Sequence, residues 1–466
     1  MGSTGKWMAT GVALLVVGVG GGIGYSHVRE SRLAEAAFRA LPANERNLAV
    51  FDAACEIIER RYFNREVLAS DEFRQYKAFW REMAATEQPA LLYVNVLANF
   101  AGSFPDSHVA FAIPAQLEAP VMEMAPGLLD KLPSRPVVSE REQAERMARF
   151  RELFNAFKSS PGFSYPQIRR GAVIERVVDG LVRASVAERA GITPGWVLTD
   201  WTTRLTNDSA KFTGKFLDLG PEGLRQFEKT GLYPGTETQE QRRAYIEANA
   251  FTVEFDMAEL EPAPDFETRQ FPGGITYLRF DGFTPAWLLG GGLAAKAMDV
   301  IDDAGPGGLI LDLRYNHGGR SLEMARIGGR LLGDDTILGY SRKADGAMVI
   351  QDGLLLGDHY HGPLVVLIGP STASAAEVIA AAVQDHKRGK LIGRTTNGSA
   401  VIGNKFELPD GGELMVPVQD FLRIDERRID GVGVEPDIWL VPTLEDVRAG
   451  RDPVLERALQ ELGVTT

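Results

Sequence analysis

Three hydroxyl side chains, Ser371, Thr372 and Ser374, stand in the first turn of a predicted helix that follows the apolar run from Leu364 to Gly369. A hydroxyl placed there lies at the positive end of the helix dipole, beside backbone N–H groups that have no intrahelical acceptor. That environment suits a nucleophile with an oxyanion site next to it. The same residues admit a structural reading, because Ser374 and Glu377 have the Ser-x-x-Glu spacing of a capping box. Both readings stay open at this level.

Other reactive side chains are few. The six histidines are His27, His108, His317, His359, His361 and His386, and no pair has the His-Glu-x-x-His spacing of a zinc protease. His359 and His361 flank Tyr360 just before a strand and could chelate a metal only with a third ligand, which the sequence does not identify. No metal is therefore assigned, and no cofactor. His108 follows the turn Gly102-Ser-Phe-Pro-Asp-Ser at the start of an extended run, where a lone histidine reads as solvated or structural. The one cysteine, Cys55, excludes an internal disulfide and a Cys-rich metal site. It sits in a helical apolar pattern and reads as a small buried hydrophobe.

The elements that must position these groups fill a chain of 466 residues, enough for two or three domains with proper cores. A formal charge of -13 argues against a nucleic-acid or anionic-lipid surface. After a short tail at 1–6, residues 7–28 contain no Asp, Glu, Lys or Arg and can span a bilayer as a helix. A signal peptide is the competing reading, but no small-x-small cleavage site follows closely. An uncleaved single-pass anchor is expected. Gly18-x-x-x-Gly22 and Gly20-x-x-x-Gly24 could bring two anchors together as a homodimer.

Residues 29–115 read as a helical domain ending in the His108 loop: Leu48, Val50, Phe51, Ala54, Ile57 and Ile58 share one side. Residues 116–160 read as a connector. Residues 161–260 carry short alternating strands between glycine turns, with a polar insertion expected at 205–250 that holds a helix. From 261 to 445 strands alternate with helices. Ile275 to Phe280, Gly308 to Leu313, Leu364 to Gly369, Lys390 to Arg394 and Glu413 to Val418 are predicted strands. Leu288 to Asp303, Ser321 to Leu332 and Ser374 to His386 are predicted helices. This alternation argues an α/β layer structure with the site at the strands' carboxyl ends. A C-terminal helix is expected at 446–466.

Two sets of motifs carry a resemblance. Gly162-Phe163-Ser164-Tyr165 and Ala190-Gly-Ile-Thr-Pro-Gly195-Trp-Val-Leu resemble a PDZ domain. Such domains grip a peptide's last residues by strand addition, which implies peptide binding at Gly162, Phe163, Ser164 and Tyr165. The long segment at 205–250 departs from that pattern. Gly308-Leu-Ile-Leu-Asp-Leu-Arg-Tyr-Asn-His-Gly-Gly319, Ser371-Thr-Ala-Ser-Ala-Ala-Glu377, Leu408-Pro-Asp-Gly411 and Gly431-Val-Gly-Val-Glu-Pro-Asp-Ile438 occur in the order found in the carboxyl-terminal processing, or tail-specific, serine peptidases. The resemblance runs from about Leu48 to Pro442. It implies Ser374 as nucleophile and the backbone N–H groups of Ala375 and of a glycine in Gly318-Gly319 as oxyanion donors. The fold it implies is multidomain, α+β and α/β: transmembrane helix, helical segment, PDZ-like module and α/β peptidase core.

The chain departs from the family at the base. Typical members place a lysine where this sequence has Ser399, and Lys405 lies six residues on, roughly 20 Å along an extended chain. Some members, the tricorn protease and the nisin-resistance protein among them, take a histidine from an Asp-x-His pattern ahead of the PDZ module instead. Asp106-Ser107-His108 matches that pattern, which implies His108 as general base. Ser107 and Glu377 could support the pair, and His317 is the rival base or a supporting residue. The expected protein is a membrane-anchored endopeptidase acting on peptides or unfolded proteins, its catalytic domain outside the cytoplasm. The alternative is a non-catalytic peptide-binding scaffold, as in the interphotoreceptor retinoid-binding protein, which shares the family fold.

Overall fold

The computed structural model describes residues 38–104, 109–114, 117, 163–170, 173–205, 210–256, 264–284, 292–354 and 358–464. The predicted anchor at 7–28, nearly all of the connector and the Asp106-Ser107-His108 stretch lie outside them. Among the described residues no helix is long and apolar enough to cross a membrane.

The chain divides into two compact units. The first holds the described part of Met1–Ser134 together with Gly403–Pro417. Its helix Ala43–Arg61 buries Val50, Phe51, Ala54, Cys55 and Ile58, the stripe predicted from apolar spacing. The second long helix, Asp71–Thr86, begins where the Ser70 hydroxyl accepts the Phe73 N–H at 3.1 Å. Phe51, Phe73, Phe100 and Phe104 pack against one another, tilted or edge to face. Cys55 is the buried hydrophobe expected, and burial pushes its thiol up to about 12.

The extended run predicted after His108 is a short strand, Ala110–Ala112, paired antiparallel with Glu413 to Met415. The Leu408-Pro-Asp-Gly turn is held nearby, where the Tyr93 hydroxyl donates to Asp410 Oδ1 at 2.8 Å. Residues 403–417, predicted as part of the core domain, therefore pack with the helical segment instead. Backbone pairing between segments about three hundred positions apart is invisible to local periodicity.

The second unit, Arg135–Ile402 with Val418–Thr466, contains the core sheet. Its six strands are β1 (Phe266–Phe271), β2 (Ile275–Phe280), β3 (Gly308–Asp312), β4 (Leu364–Ile368), β5 (Lys390–Gly393) and β6 (Ile438–Trp439). They lie side by side in chain order, β1 antiparallel to β2 and the rest parallel. Helices α1 (Leu293–Asp302), α2 (Ser321–Leu332) and α3 (Ala375–Asp385) cover one face, packing on Leu278, Leu309, Leu311, Val366 and Leu391. Helix α4 (Pro453–Glu461) covers the other, packing on Tyr277, Ile310, Val365, Leu367 and Ile392. Strands covered on both faces read as unbroken apolar runs, which is why β3 and β4 were legible. The predicted helix at 446–466 is broken at Gly450, in the left-handed region at φ 71°, into Leu444–Ala449 and α4.

The β-rich module is a five-stranded antiparallel sheet formed by Gln167–Arg170, Val173–Val177, Val197–Leu205, Ala210–Leu217 and Phe251–Asp256. The segment expected to be an insertion supplies one of these strands, then two helices, Gly220–Thr230 and Gln239–Asn249. Module and core fall within one compact unit. Buried Arg394, next to β5, donates to Glu228 Oε1 of the module at 2.7 Å and to the Val178 carbonyl at 3.0 Å. Trp439 Nε1 of β6 donates to Glu228 Oε2 at 2.9 Å. Paired charges buried this completely hold the module on the core.

Candidate active site

β4 ends in the centre of the parallel sheet, and Ser374 follows its carboxyl end as the residue before α3. Its backbone has φ 56° and ψ -123°, a conformation that costs a non-glycine residue on the order of 1–3 kcal/mol. The surrounding loop enforces it. Thr372 is fully buried, its hydroxyl donating to the Leu313 carbonyl at 2.7 Å and accepting the Gly369 N–H at 2.9 Å. The Ala373 N–H donates to the Asn316 carbonyl at 3.0 Å. This is a strained strand-to-helix turn that lifts a side chain off the end of a sheet.

The Gly318-Gly319 turn meets Ser374 directly. Gly318 has φ 88°, and a Cβ on it would fall 2.6 Å from Ser374 Cβ and 3.0 Å from Ala375 N. Only glycine allows that approach. Buried Asn316 shapes the turn: its amide donates to the Phe280 carbonyl at 2.8 Å, and its Oδ1 accepts the Gly318 N–H at 2.9 Å. Of the predicted oxyanion donors, Gly318 is thus committed elsewhere. Among the described residues the N–H groups of Gly319 and Ala375 have no acceptor. Ala375 is the first residue of α3, so its N–H also carries the positive helix end.

Glu377 does more than cap a helix. It is fully buried; its Oε1 accepts from Thr396 Oγ1 (2.6 Å) and the Gly398 N–H (2.7 Å), and its Oε2 from the Ser399 N–H (2.9 Å) and the Ser374 N–H (3.0 Å). The Ser374 carbonyl accepts the Glu377 N–H at 2.9 Å, and the Glu377 side chain closes the predicted capping box on the Ser374 N–H. Burial pushes the Glu377 carboxyl up, while the four donors pull it down. Glu377→Gln puts an amide NH₂ against donors that need an acceptor. We expect a loss of about 3 kcal/mol in urea unfolding at an unchanged m-value; a variant as stable as wild type would refute the four-donor account.

Ser399, in the place of the family's lysine, is buried, and its hydroxyl donates to Asn397 Oδ1 at 2.6 Å. The loop it sits on is gripped by Arg170 of the module, which donates to the carbonyls of Thr396 (2.9 Å) and Asn397 (3.1 Å). Burial pushes the Arg170 guanidinium down to about 10. Lys405 pairs with Glu413 at 2.8 Å in the first unit. His317 is exposed beside the Gly318-Gly319 turn, its N–H donating to the Asp281 carbonyl at 3.2 Å. His108 and Ser107 lie outside the described residues.

Of the residues predicted to hold a peptide end, Phe163, Ser164 and Tyr165 are described. Phe163 is fully buried in the module's core against Tyr165, Phe212 and Phe216. Ser164 spends its N–H on the Gly180 carbonyl (2.6 Å) and its hydroxyl oxygen on the Gly180 N–H (2.7 Å). Tyr165 is half-buried, and Gly162 lies outside the described residues. Asn316 and Thr396 hold the site without having been singled out; Asn316 lies inside a quoted motif, the one signal that could have found it.

Residues 274–440 match peptidase family S41. The chain is 31% identical over 192 residues to a carboxyl-terminal-processing protease of Synechocystis sp., covering 40% of this chain and 43% of that one. It is 38% identical over 134 residues to the chloroplastic carboxyl-terminal-processing peptidase 3 of Arabidopsis thaliana, covering 28% and 25%. The chain thus spans less than half the length of these relatives. The crystal structure of mature CPAF shares the fold at a TM-score of 0.50 and 12% identity, covering 87% of this chain and 94% of that one.

Proposed function

We propose that this chain, which carries a peptidase family S41 domain over residues 274–440, is a serine endopeptidase acting on peptide or unfolded protein chains through Ser374. The observation that carries the reading is the strained Ser374 turn at the end of β4, with Gly318 against its side chain and the unclaimed Ala375 N–H beside it. Ser374 Oγ attacks the scissile carbonyl while His108 takes its proton. The oxyanion is received by the N–H groups of Ala375 and Gly319. Collapse expels the amine, which takes the proton from His108, and water then releases the acyl group by the same steps. Glu377 keeps its bond to the Ser374 N–H throughout and so positions the nucleophile.

The role of His108 rests on the Asp106-Ser107-His108 pattern and on Ser399 standing where relatives have lysine. Selection of substrate by the PDZ-like module rests on its sequence signature. Anchoring by 7–28, with the catalytic part outside the cytoplasm and dimers formed through the glycine pairs, rests on the apolar run. The test is covalent labelling with a serine-directed fluorophosphonate. Expected is one label, on Ser374, slowed about 10³-fold or more in His108→Ala. Labelling of His108→Ala at the wild-type rate removes His108 from the mechanism. An unlabelled wild type that still binds peptide favours the scaffold.

A further inference from the structure

The structure supplies the third ligand that His359 and His361 lacked in the sequence. We propose that Asp358, His359 and His361 form a binding site for a divalent metal of the zinc class, separate from the peptidase centre. Asp358 Oδ1 lies 3.0 Å from His361 Nε2 and 3.7 Å from His359 Nδ1. One ligand atom from each residue falls within 4.8 Å of the other two. A zinc ion about 2.0–2.1 Å from each ligand atom spaces tetrahedral ligands about 3.3–3.4 Å apart, a value those two separations bracket. The imidazole rings are 4.1 Å apart and tilted by 50°, convergent rather than stacked. Two neutral imidazoles and one carboxylate suit zinc, copper, nickel or cobalt, and poorly suit calcium or magnesium.

The backbone bearing the ligands is held from within. Tyr360, between the two histidines, donates its N–H to the Arg330 carbonyl of α2 at 2.7 Å and its hydroxyl to the Gly305 carbonyl at 3.1 Å. Arg388, just beyond α3, donates to the Gly362 carbonyl at 2.8 Å and to that of Tyr360. The His359 ring lies against Gly333, where a Cβ would come 3.6 Å from Nδ1. Asp358 and His361 are exposed, their side chains at 82% and 65%, and His359 is partly exposed at 31%, so a metal can reach them with a fourth position left to water.

The cluster precedes the amino end of β4, whereas Ser374 follows its carboxyl end. A metal bound there ties the loop before β4 to itself and takes no part in acyl transfer. The test uses the full chain without a polyhistidine tag and Zn²⁺ alone as probe, with Co²⁺ for its visible spectrum. Expected is one saturable equivalent that raises the unfolding midpoint. His359→Ala, His361→Ala and Asp358→Asn should each weaken binding about tenfold or more, with metal-free unfolding and fluorophosphonate labelling unchanged. Zn²⁺ uptake equal in wild type and the His359→Ala/His361→Ala double variant would overturn the proposal, as would no uptake by wild type.

Discussion

Ser374→Ala is expected to lower kcat/KM on an unfolded peptide by about 10⁴-fold or more, since the proposed acyl-enzyme forms on Ser374. The same position offers a second readout, because the strain at φ 56° belongs to any residue with a Cβ. Ser374→Gly should be as inactive as Ser374→Ala yet more stable by about 1 kcal/mol or more, since glycine occupies this conformation without clash. Measured as paired unfolding curves, that order identifies a backbone strained for function. Equal stability of the two variants would mean the turn stores no strain. Residual turnover in either variant would move the chemistry away from Ser374.

Gly318→Ala should be the next most damaging change. The added methyl would stand 2.6 Å from Ser374 Cβ and 2.8 Å from the Ala373 carbonyl, and the backbone atoms there cannot give way cheaply. It also enters the space beside Ala375 N where the oxyanion is to be received. A loss of about 10³-fold in kcat is expected, of the size seen when an oxyanion donor is removed, with KM changed far less. The φ of 88° adds a stability cost on the order of 1–3 kcal/mol. Assays well below the unfolding midpoint separate the two effects. A variant that keeps near-normal kcat would show that the Gly318 turn does not shape the oxyanion site.

Much of the core was readable because its signals are local. β2, β3 and β4 are apolar runs bounded by turns, and α2 was placed at Ser321–Leu332 as it stands. Ser374 was found by its place at a strand-to-helix turn and by its motif. What escaped depends on partners distant in the chain. Glu377 looked like a cap three residues from Ser374, and its main bonds reach about twenty residues onward to Thr396, Gly398 and Ser399. Gly318 and Gly319 were equivalent as oxyanion donors until the Asn316 side chain claimed one N–H. Phe163 had the composition of a ligand loop and the position of a core residue.

Residue types, their spacing and the resemblance they carry were enough to name the candidate chemistry: a serine at a helix start, no lysine at Ser399, and a histidine candidate at 108. Periodicity and short motifs report such things because each is written within a few residues. Whether the Ser374 backbone is strained, which N–H groups remain open beside it and whether a carboxylate stands beside His359 and His361 were decided only by folding. Each depends on close contacts that side-chain packing and loop closure impose. Ser374 keeps its costly backbone because Leu313, Asn316 and Glu377 hold the turn from three sides. No local pattern around residue 374 encodes that convergence.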